Sequence, residues 1–242
     1  MRKKAVTVNR IKAIVFDTFG TVVDWRSSIT ADFRAFGKQK AIDIPWEAFV
    51  DEWKTAYKPG MDAVRSGDWP WTKVGKIYRS KLDAILPKYG IDTLTEDEKI
   101  YLNRAWHRLN PWPDSVAGLI RLKKQYVIST LSNGDVECLV DMARNAGLPW
   151  DVILCAEIFR HYKPDPEVYL GAIELLNLKP HEIMLVAAHN YDLRAARSHG
   201  MRTGFVLRPT EYGPNQGTDL TAEEDWDVVA NNFSRLADAL GC

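Results

Sequence analysis

Net charge is absent from this sequence: 32 Lys and Arg residues stand against 32 Asp and Glu over 242 positions. With no basic stripe to track a phosphate backbone, a nucleic-acid partner is not expected. Cysteine is scarce. The three present, Cys138, Cys155 and Cys242, form no C-x-x-C pair, which argues against a disulfide framework or a zinc site and suits a reducing, cytoplasmic compartment. No stretch approaches the roughly 20 apolar residues needed to span a bilayer, so no membrane association is expected. The basic opening, MRKKAVTVNR, has no apolar run of signal-peptide length behind it, and these ten residues are expected to be a frayed tail. Internal repeats and low-complexity segments are also missing. What remains is a composition of 46% hydrophobic and 26% charged residues, typical of a folded chain. The length suits one large domain or a core with an inserted lobe.

Ile11 to Phe16 (IKAIVF) is a short apolar run rich in β-branched residues that stops abruptly at Asp17-Thr18-Phe19-Gly20-Thr21. Its length and its Gly-containing end favour a buried strand. Gln125 to Leu131, Asp151 to Cys155 and Glu182 to Ala188 repeat the pattern, and Met201 to Leu207 does so more weakly. Helical patterns lie between these runs: Pro113 to Lys124, Val136 to Ala146 ending at Gly147, Pro166 to Leu176, and Tyr191 to His199 ending at Gly200. Strands alternating with helices of about ten residues indicate βαβ units and a parallel sheet. From about Trp25 to Trp112 the rhythm breaks. This interval holds seven of the nine tryptophans, is mostly helical in pattern, and is expected to be a helical lobe inserted after the first strand.

Polar clusters follow four of the strands. Asp17 comes directly after the first, Ser132 and Asn133 after the second, Lys163 a short loop beyond the third, and His189, Asn190 and Asp192 after the fourth. Open parallel α/β sheets bind ligands outside the carboxyl ends of their strands, so these sequence-distant residues are expected to converge. Taken singly, each has a structural explanation. Asp17 and Ser132-Asn133-Gly134 are ordinary turn or cap signals, Asp192 is placed to cap a helix, and His189 to be a satisfied buried histidine. Taken together, in this order and at these strand ends, they describe a site. A carboxylate that is partly desolvated and aimed can form a covalent ester, which is the role expected of Asp17. Thr21, Ser132 and Asn133 supply hydroxyl and amide donors to orient it or a substrate carboxylate. Lys163 supplies the charge that keeps it ionised. Asp192 either fixes Lys163 or activates the water that cleaves the ester.

The set Asp17-Thr18-Phe19-Gly20-Thr21, Leu131-Ser132-Asn133-Gly134, Tyr162-Lys163-Pro164-Asp165-Pro166 and Ala187-Ala188-His189-Asn190-Tyr191-Asp192 resembles the four motifs of the haloacid dehalogenase superfamily. Within it, the chain is most similar to the type II L-2-haloacid dehalogenases, from about Ile11 to Asp227. The resemblance implies a Rossmann-like parallel-sheet core (11–24 and 113–242) with a helical cap (25–112), no metal or other cofactor, and a homodimer. It also implies a reaction. Asp17 displaces halide from a short L-2-halo acid with inversion, and water then attacks the ester carbonyl to release a D-2-hydroxy acid. Donors near Ser132 and Asn133 would hold the substrate carboxylate. Thr18, Phe19, Trp25, Lys54, His189 and Asn190 are expected around the substrate.

Many members of the superfamily transfer phosphoryl groups, so a phosphatase acting on a small metabolite is the alternative. Such enzymes usually place a second Asp two residues after the nucleophile, where this chain has Phe19, whose ring neither donates nor accepts a proton. Metal-dependent members also carry closely spaced acids in the last motif, since Mg2+ wants several oxygen ligands; here Ala187, Ala188, His189 and Asn190 precede a single Asp192. Departing halide needs no proton. A third possibility, an idle member serving as a binding module, is opposed by the joint retention of Asp17, Lys163 and Asp192. Two positions depart from the familiar dehalogenases. Lys54, beside Trp53, stands where an Arg helps hold the halide, and His189 stands where an Asn closes Ser-x-Asn. The His-Asn-Tyr-Asp form resembles a subgroup that includes enzymes acting on fluoroacetate. The remaining tryptophans of the helical interval are expected mainly to pack.

Overall fold

Every side chain of Ala13–Phe16 (β1) is fully buried, at about 1.5–3 kcal/mol for each large apolar side chain removed from water. A strand apolar on both faces needs cover on both, and the chain supplies it. The structure, a computed structural model, describes residues 11–242; the expected tail lies outside the described residues. After β1 the chain makes Val23–Asp24 (β2), then the helices Trp25–Lys40 (α1), Trp46–Lys54 (α2), Tyr57–Ser66 (α3), Val74–Ile85 (α4) and Glu96–Asn103 (α5). It returns through Asn110–Pro111 (β3). There follow Ser115–Lys123 (α6), Val127–Ser132 (β4), Val136–Ala146 (α7), Val152–Cys155 (β5), Ala156–Phe159 (α8), Pro166–Leu176 (α9), Ile183–Ala187 (β6), Asn190–Ser198 (α10), Arg202–Val206 (β7), Val228–Ala230 (β8) and Phe233–Ala239 (α11).

The main sheet has the order β5-β4-β1-β6-β7-β8, and all its pairings are parallel. The α/β class with a parallel sheet is therefore as expected, as are the five anticipated strands. β8 was not anticipated: a three-residue edge strand has too little pattern to register. β1 lies between β4 and β6, so the loops carrying Asp17, Ser132-Asn133 and His189 leave adjacent strands at the same edge.

β2 and β3 pair antiparallel, Val23 with Pro111 and Asp24 with Asn110, where the chain departs for the helices and comes back. Asp24 also caps α1 by accepting from the Ser27 N–H at 3.1 Å, one of the orphan donors of a helix start. The helices between share an aromatic core. Tyr78 stacks on Trp106 with ring centroids 4.2 Å apart, Trp53 stacks on Phe33 at 5.4 Å, and the Trp53 indole N–H donates to the Tyr78 carbonyl at 2.8 Å. Trp46, Trp53 and Trp106 are thus packing residues, as expected, whereas Trp69 is exposed. Among the described residues, no helix is long and apolar enough to cross a membrane.

Candidate active site

Asp17 is held before its side chain does anything. Its N–H donates to the Val186 carbonyl at 3.0 Å, and Gly20 N–H to Val23 O at 3.0 Å, closing a tight loop after β1. Gly20 adopts φ +84°, and a Cβ there would lie 2.1 Å from the Glu211 carboxylate. The glycine is therefore required twice, for its left-handed backbone and for the room it leaves Glu211. Gly20→Ala is expected to lose about 1–2 kcal/mol from the backbone alone and to displace Glu211. Thermal unfolding should register this as a fall of several degrees; an unchanged Tm would contradict it. Arg208, buried against Asp114 by two contacts of 2.7 and 3.0 Å, donates to the Thr21 carbonyl at 2.9 Å and pins the far end of the loop.

Both carboxylate oxygens of Asp17 are engaged. Oδ1 accepts from Lys163 Nζ at 2.9 Å. Oδ2 accepts from the Thr21 hydroxyl at 2.7 Å and lies 2.9 Å from His189 Nδ1. The Ala188 N–H donates into the Thr21 oxygen at 2.9 Å, which commits the hydroxyl hydrogen to Asp17. Burial would raise the pKa of Asp17, but the Lys163 charge, His189 and Thr21 together hold it below the usual carboxylate range. Lys163 is nearly inaccessible. Burial would strip its proton, yet Asp17 and Asp192 raise its pKa above the ordinary lysine value. Asp192 bonds Lys163 and accepts from the Tyr169 hydroxyl at 2.6 Å. It is fully buried, and burial raises its pKa despite Lys163. Of its two expected roles, fixing Lys163 is the one this placement fits, because both oxygens are already committed.

Asn133 ties the site to the helices. Its Oδ1 accepts from the Lys163 backbone N–H at 2.6 Å, while its amide donates to Tyr57 Oη at 2.9 Å and to the Lys163 carbonyl at 3.2 Å. Ser132 is wholly buried beside it, its hydroxyl accepting from Gly134 N–H at 3.3 Å. A cavity of about 490 Å³ opens over Asp17, walled by Phe19, Lys163 and His189 from the strand loops and by Lys54, Tyr57 and Arg65 from α2 and α3. The Lys54 ammonium sits 3.8 Å over the Tyr57 ring, within 6 Å of Trp25 and Trp106 (5.4 and 5.6 Å), and donates to Tyr78 Oη at 3.3 Å. Burial among these rings pushes its pKa down to about 8, against the opposing pull of Glu211 and Asp17. Ring faces attract the cation but offer it no counter-charge, so its charge is available to a small anion.

His189 lies between two carboxylates, its Nε2 2.8 Å from Glu211 Oε2. Glu211 in turn accepts from the Trp25 indole N–H at 3.1 Å. Burial disfavours the imidazolium, but Glu211 and Asp17 overcome this and raise the His189 pKa well above the usual histidine value.

Of the residues expected around the substrate, Phe19, Lys54 and His189 line the cavity, and Trp25 reaches it at one remove through Glu211. Four others do not line it: Ser132 and Asn133, expected to hold the substrate carboxylate, and Thr18 and Asn190. Asn190 opens α10 with its side chain turned away: its amide donates to Asp219 and the Thr221 carbonyl, and its oxygen accepts from Glu223 N–H and the Trp226 indole. Thr18 is completely buried beneath the loop. Glu211, Tyr57 and Tyr169 were not anticipated. Glu211 follows the fifth strand, so carrying the strand-end rule one strand further would have found it. Tyr57 has no such signal. Among the described residues, the one group of His and acidic side chains close enough to share an ion is His107, Glu137 and Asp141. It lies outside this cavity, and Arg104 already bridges its two acids at 2.6 Å each.

Known proteins place this arrangement. The family model for haloacid dehalogenase-like hydrolases matches residues 11–200. The structure of an L-2-haloacid dehalogenase superimposes with a TM-score of 0.93 at 48% identity, covering 96% of this chain and 99% of that one. The structure of a defluorinating L-2-haloacid dehalogenase gives 0.94 at 44% identity, covering 100% and 99% respectively. The (S)-2-haloacid dehalogenase 4A of Burkholderia cepacia is 26% identical over 250 residues, covering 95% of this chain and all of that protein. With its fold and its four strand-end motifs, the chain belongs to the haloacid dehalogenase-like hydrolases.

Proposed function

We propose that this chain is an (S)-2-haloacid dehalogenase that converts short L-2-halo acids and the achiral haloacetates, fluoroacetate included, to 2-hydroxy acids through an ester on Asp17. The observation that carries this is the pairing of a braced, ionised Asp17 with an apolar Phe19 ring at the position where a phosphatase would present its proton donor. Halide leaves with its electron pair and needs no proton, so Phe19 costs this reaction nothing. Relatives named as haloacid dehalogenases, one of them defluorinating, support the same chemistry.

One Asp17 oxygen attacks the halogen-bearing carbon from behind, and halide departs on the opposite side toward Lys54. Water then adds to the Asp17 acyl carbon, the acyl–oxygen bond breaks, and the hydroxy acid leaves with the original Asp17 oxygen. One proton is released to solvent per halide. Lys163, braced by Asp192, keeps Asp17 charged for the next turnover. The helices from 25 to 112 form a cap that covers the substrate over a core of 11–24 and 113–242. The enzyme works without a metal as a cytoplasmic homodimer.

Halide release should be measured with chloroacetate, fluoroacetate and each enantiomer of 2-chloropropionate, with and without chelator. Chelator-insensitive release from the L enantiomer and the haloacetates is expected. Absence of halide from all of them, together with magnesium-dependent phosphate release from small phosphate monoesters, would overturn the proposal.

A further inference from the structure

The Asp17 carboxylate is braced unequally. Each oxygen offers two in-plane lone-pair positions. Oδ2 fills both, with Thr21 Oγ1 at 2.7 Å and His189 Nδ1 at 2.9 Å, whereas among the described residues Oδ1 meets Lys163 alone at 2.9 Å. Oδ1 therefore keeps a free lone pair for attack on carbon, and Oδ2 becomes the carbonyl oxygen of the ester. When water adds to the acyl carbon, the electron pair of that carbonyl moves onto Oδ2. Donors 2.7–3.1 Å from the oxygen where charge develops are what an oxyanion hole consists of, and here two are already in place.

We propose that Thr21 and His189 form an oxyanion hole for the carbonyl of the enzyme's own aspartyl ester, and that Glu211 is the positioning residue that keeps His189 oriented with its Nδ1–H toward Oδ2. The proposal rests on the dehalogenase reading above. Glu211 Oε2 lies 2.8 Å from His189 Nε2, and its other oxygen is tied to the Trp25 indole at 3.1 Å. In the free enzyme a carboxylate on each side of the ring favours a proton on each nitrogen, and once Asp17 is esterified the Glu211 charge alone holds the imidazolium. Glycine at position 20 leaves Glu211 the space to stand there. Thr21 is fixed in the donor sense by the Ala188 N–H. In the hydrolytic step the water oxygen bonds to the acyl carbon while Oδ2 takes the negative charge. The intermediate then collapses, breaking the bond to Oδ1. Of the two water protons, one ends on the product hydroxyl and the other goes to solvent, and the water oxygen stays in the Asp17 carboxylate.

Lys163 and Thr21 still hold Asp17 ionised when His189 is replaced, so loss of the hole should fall mainly on ester hydrolysis and the two steps should separate. Rapid-quench measurements with chloroacetate should be made on the parent, His189→Leu, His189→Asn and Glu211→Gln. For the parent, halide release is expected; none at all would sink the dehalogenase reading itself, independently of this proposal. For His189→Leu, a burst of about one halide per chain is expected. A carboxymethyl ester should then persist on the Asp17 peptide, with hydrolysis slowed roughly 10²–10³-fold. His189→Asn retains an amide donor and should fall between the two. Glu211→Gln folds around a near-isosteric amide and carries the test if the leucine variant does not fold. His189 is faced by Asp17 from the β1 loop and Glu211 from the loop after β7, with Lys163, Lys54, Tyr191 and Tyr212 in the same cavity. Losing the Glu211 charge should move the alkaline fall of ester hydrolysis down by about 1–3 pH units. If both steps slow together without adduct, or if hydrolysis climbs with pH through the histidine titration, His189 is not the donor and the proposal fails.

Discussion

Asp17→Asn should release halide at least about 10⁴-fold more slowly than the parent, as expected when a covalent nucleophile is removed. The substitution is nearly isosteric, so the cavity keeps its shape, but the chemistry of its floor inverts. Oδ1 and Oδ2 now accept from Lys163, Thr21 and His189. An amide nitrogen in place of either oxygen would point hydrogens at one or two of those donors, and the amide oxygen is a poor nucleophile. Halide release by ion-selective electrode, beside a thermal melt to confirm folding, is sufficient. A folded Asn variant that still turns over at a tenth of the parent rate would rule out Asp17 as the attacking group.

Lys163→Met should be felt in stability as well as rate. The ammonium is the bridge between two buried carboxylates, Asp17 and Asp192. Removing one partner of a buried ion pair costs about 3–5 kcal/mol because the other charges stay behind unpaired. The pH dependence of stability identifies the cause. In the parent, the lowered pKa of Asp17 contributes stability that is present above the ordinary value of 3.8 and is lost as pH falls. Asp192, whose pKa is raised from 3.8, runs the opposite way and offsets part of this. In the methionine variant Asp192 loses its cationic partner and is raised further, while Asp17 loses the Lys163 charge and keeps His189 and Thr21. The protonated form of Asp192 is then favoured more strongly by folding, so its contribution to stability is greatest below about pH 4 and declines as pH rises. Denaturant unfolding of the variant should therefore show a midpoint that falls between pH 4 and 8. A midpoint flat over that range, or only 1 kcal/mol below the parent at neutral pH, would mean the two acids do not depend on Lys163.

These effects meet at one sheet edge whose position is legible in the amino-acid sequence. The runs ending at Phe16, Leu131, Cys155 and Ala188 are mainly apolar, without a polar residue at every second position, because a parallel sheet is covered on both faces, and a residue directly after such a run must emerge at the carboxyl edge. That reasoning placed Asp17, Asn133, Lys163, His189 and Asp192 together, and their contacts follow. It stopped short at Glu211, three residues beyond Arg208 and five beyond the end of β7 at Val206, where a longer loop separates strand end from site. It misdirected Asn190, since a residue at the start of a helix can face the cavity or the neighbouring loop, and only the packing of residues 219–226 settles which. The ribbon of β2 and β3 and the edge strand β8 are too short to carry a period of two.

The amino-acid sequence by itself determined the alternation of strands and helices, the strand-end address of the nucleophile and the absence of a proton donor at Phe19, because all of these are local: a run, a turn and a spacing. Which oxygen of Asp17 is free, whether His189 carries one proton or two, and what company Lys54 keeps were decided only in three dimensions. Those properties depend on distances of 2.7 to 3.8 Å between groups as many as 172 positions apart in the chain, and on burial that makes each unpaired charge costly.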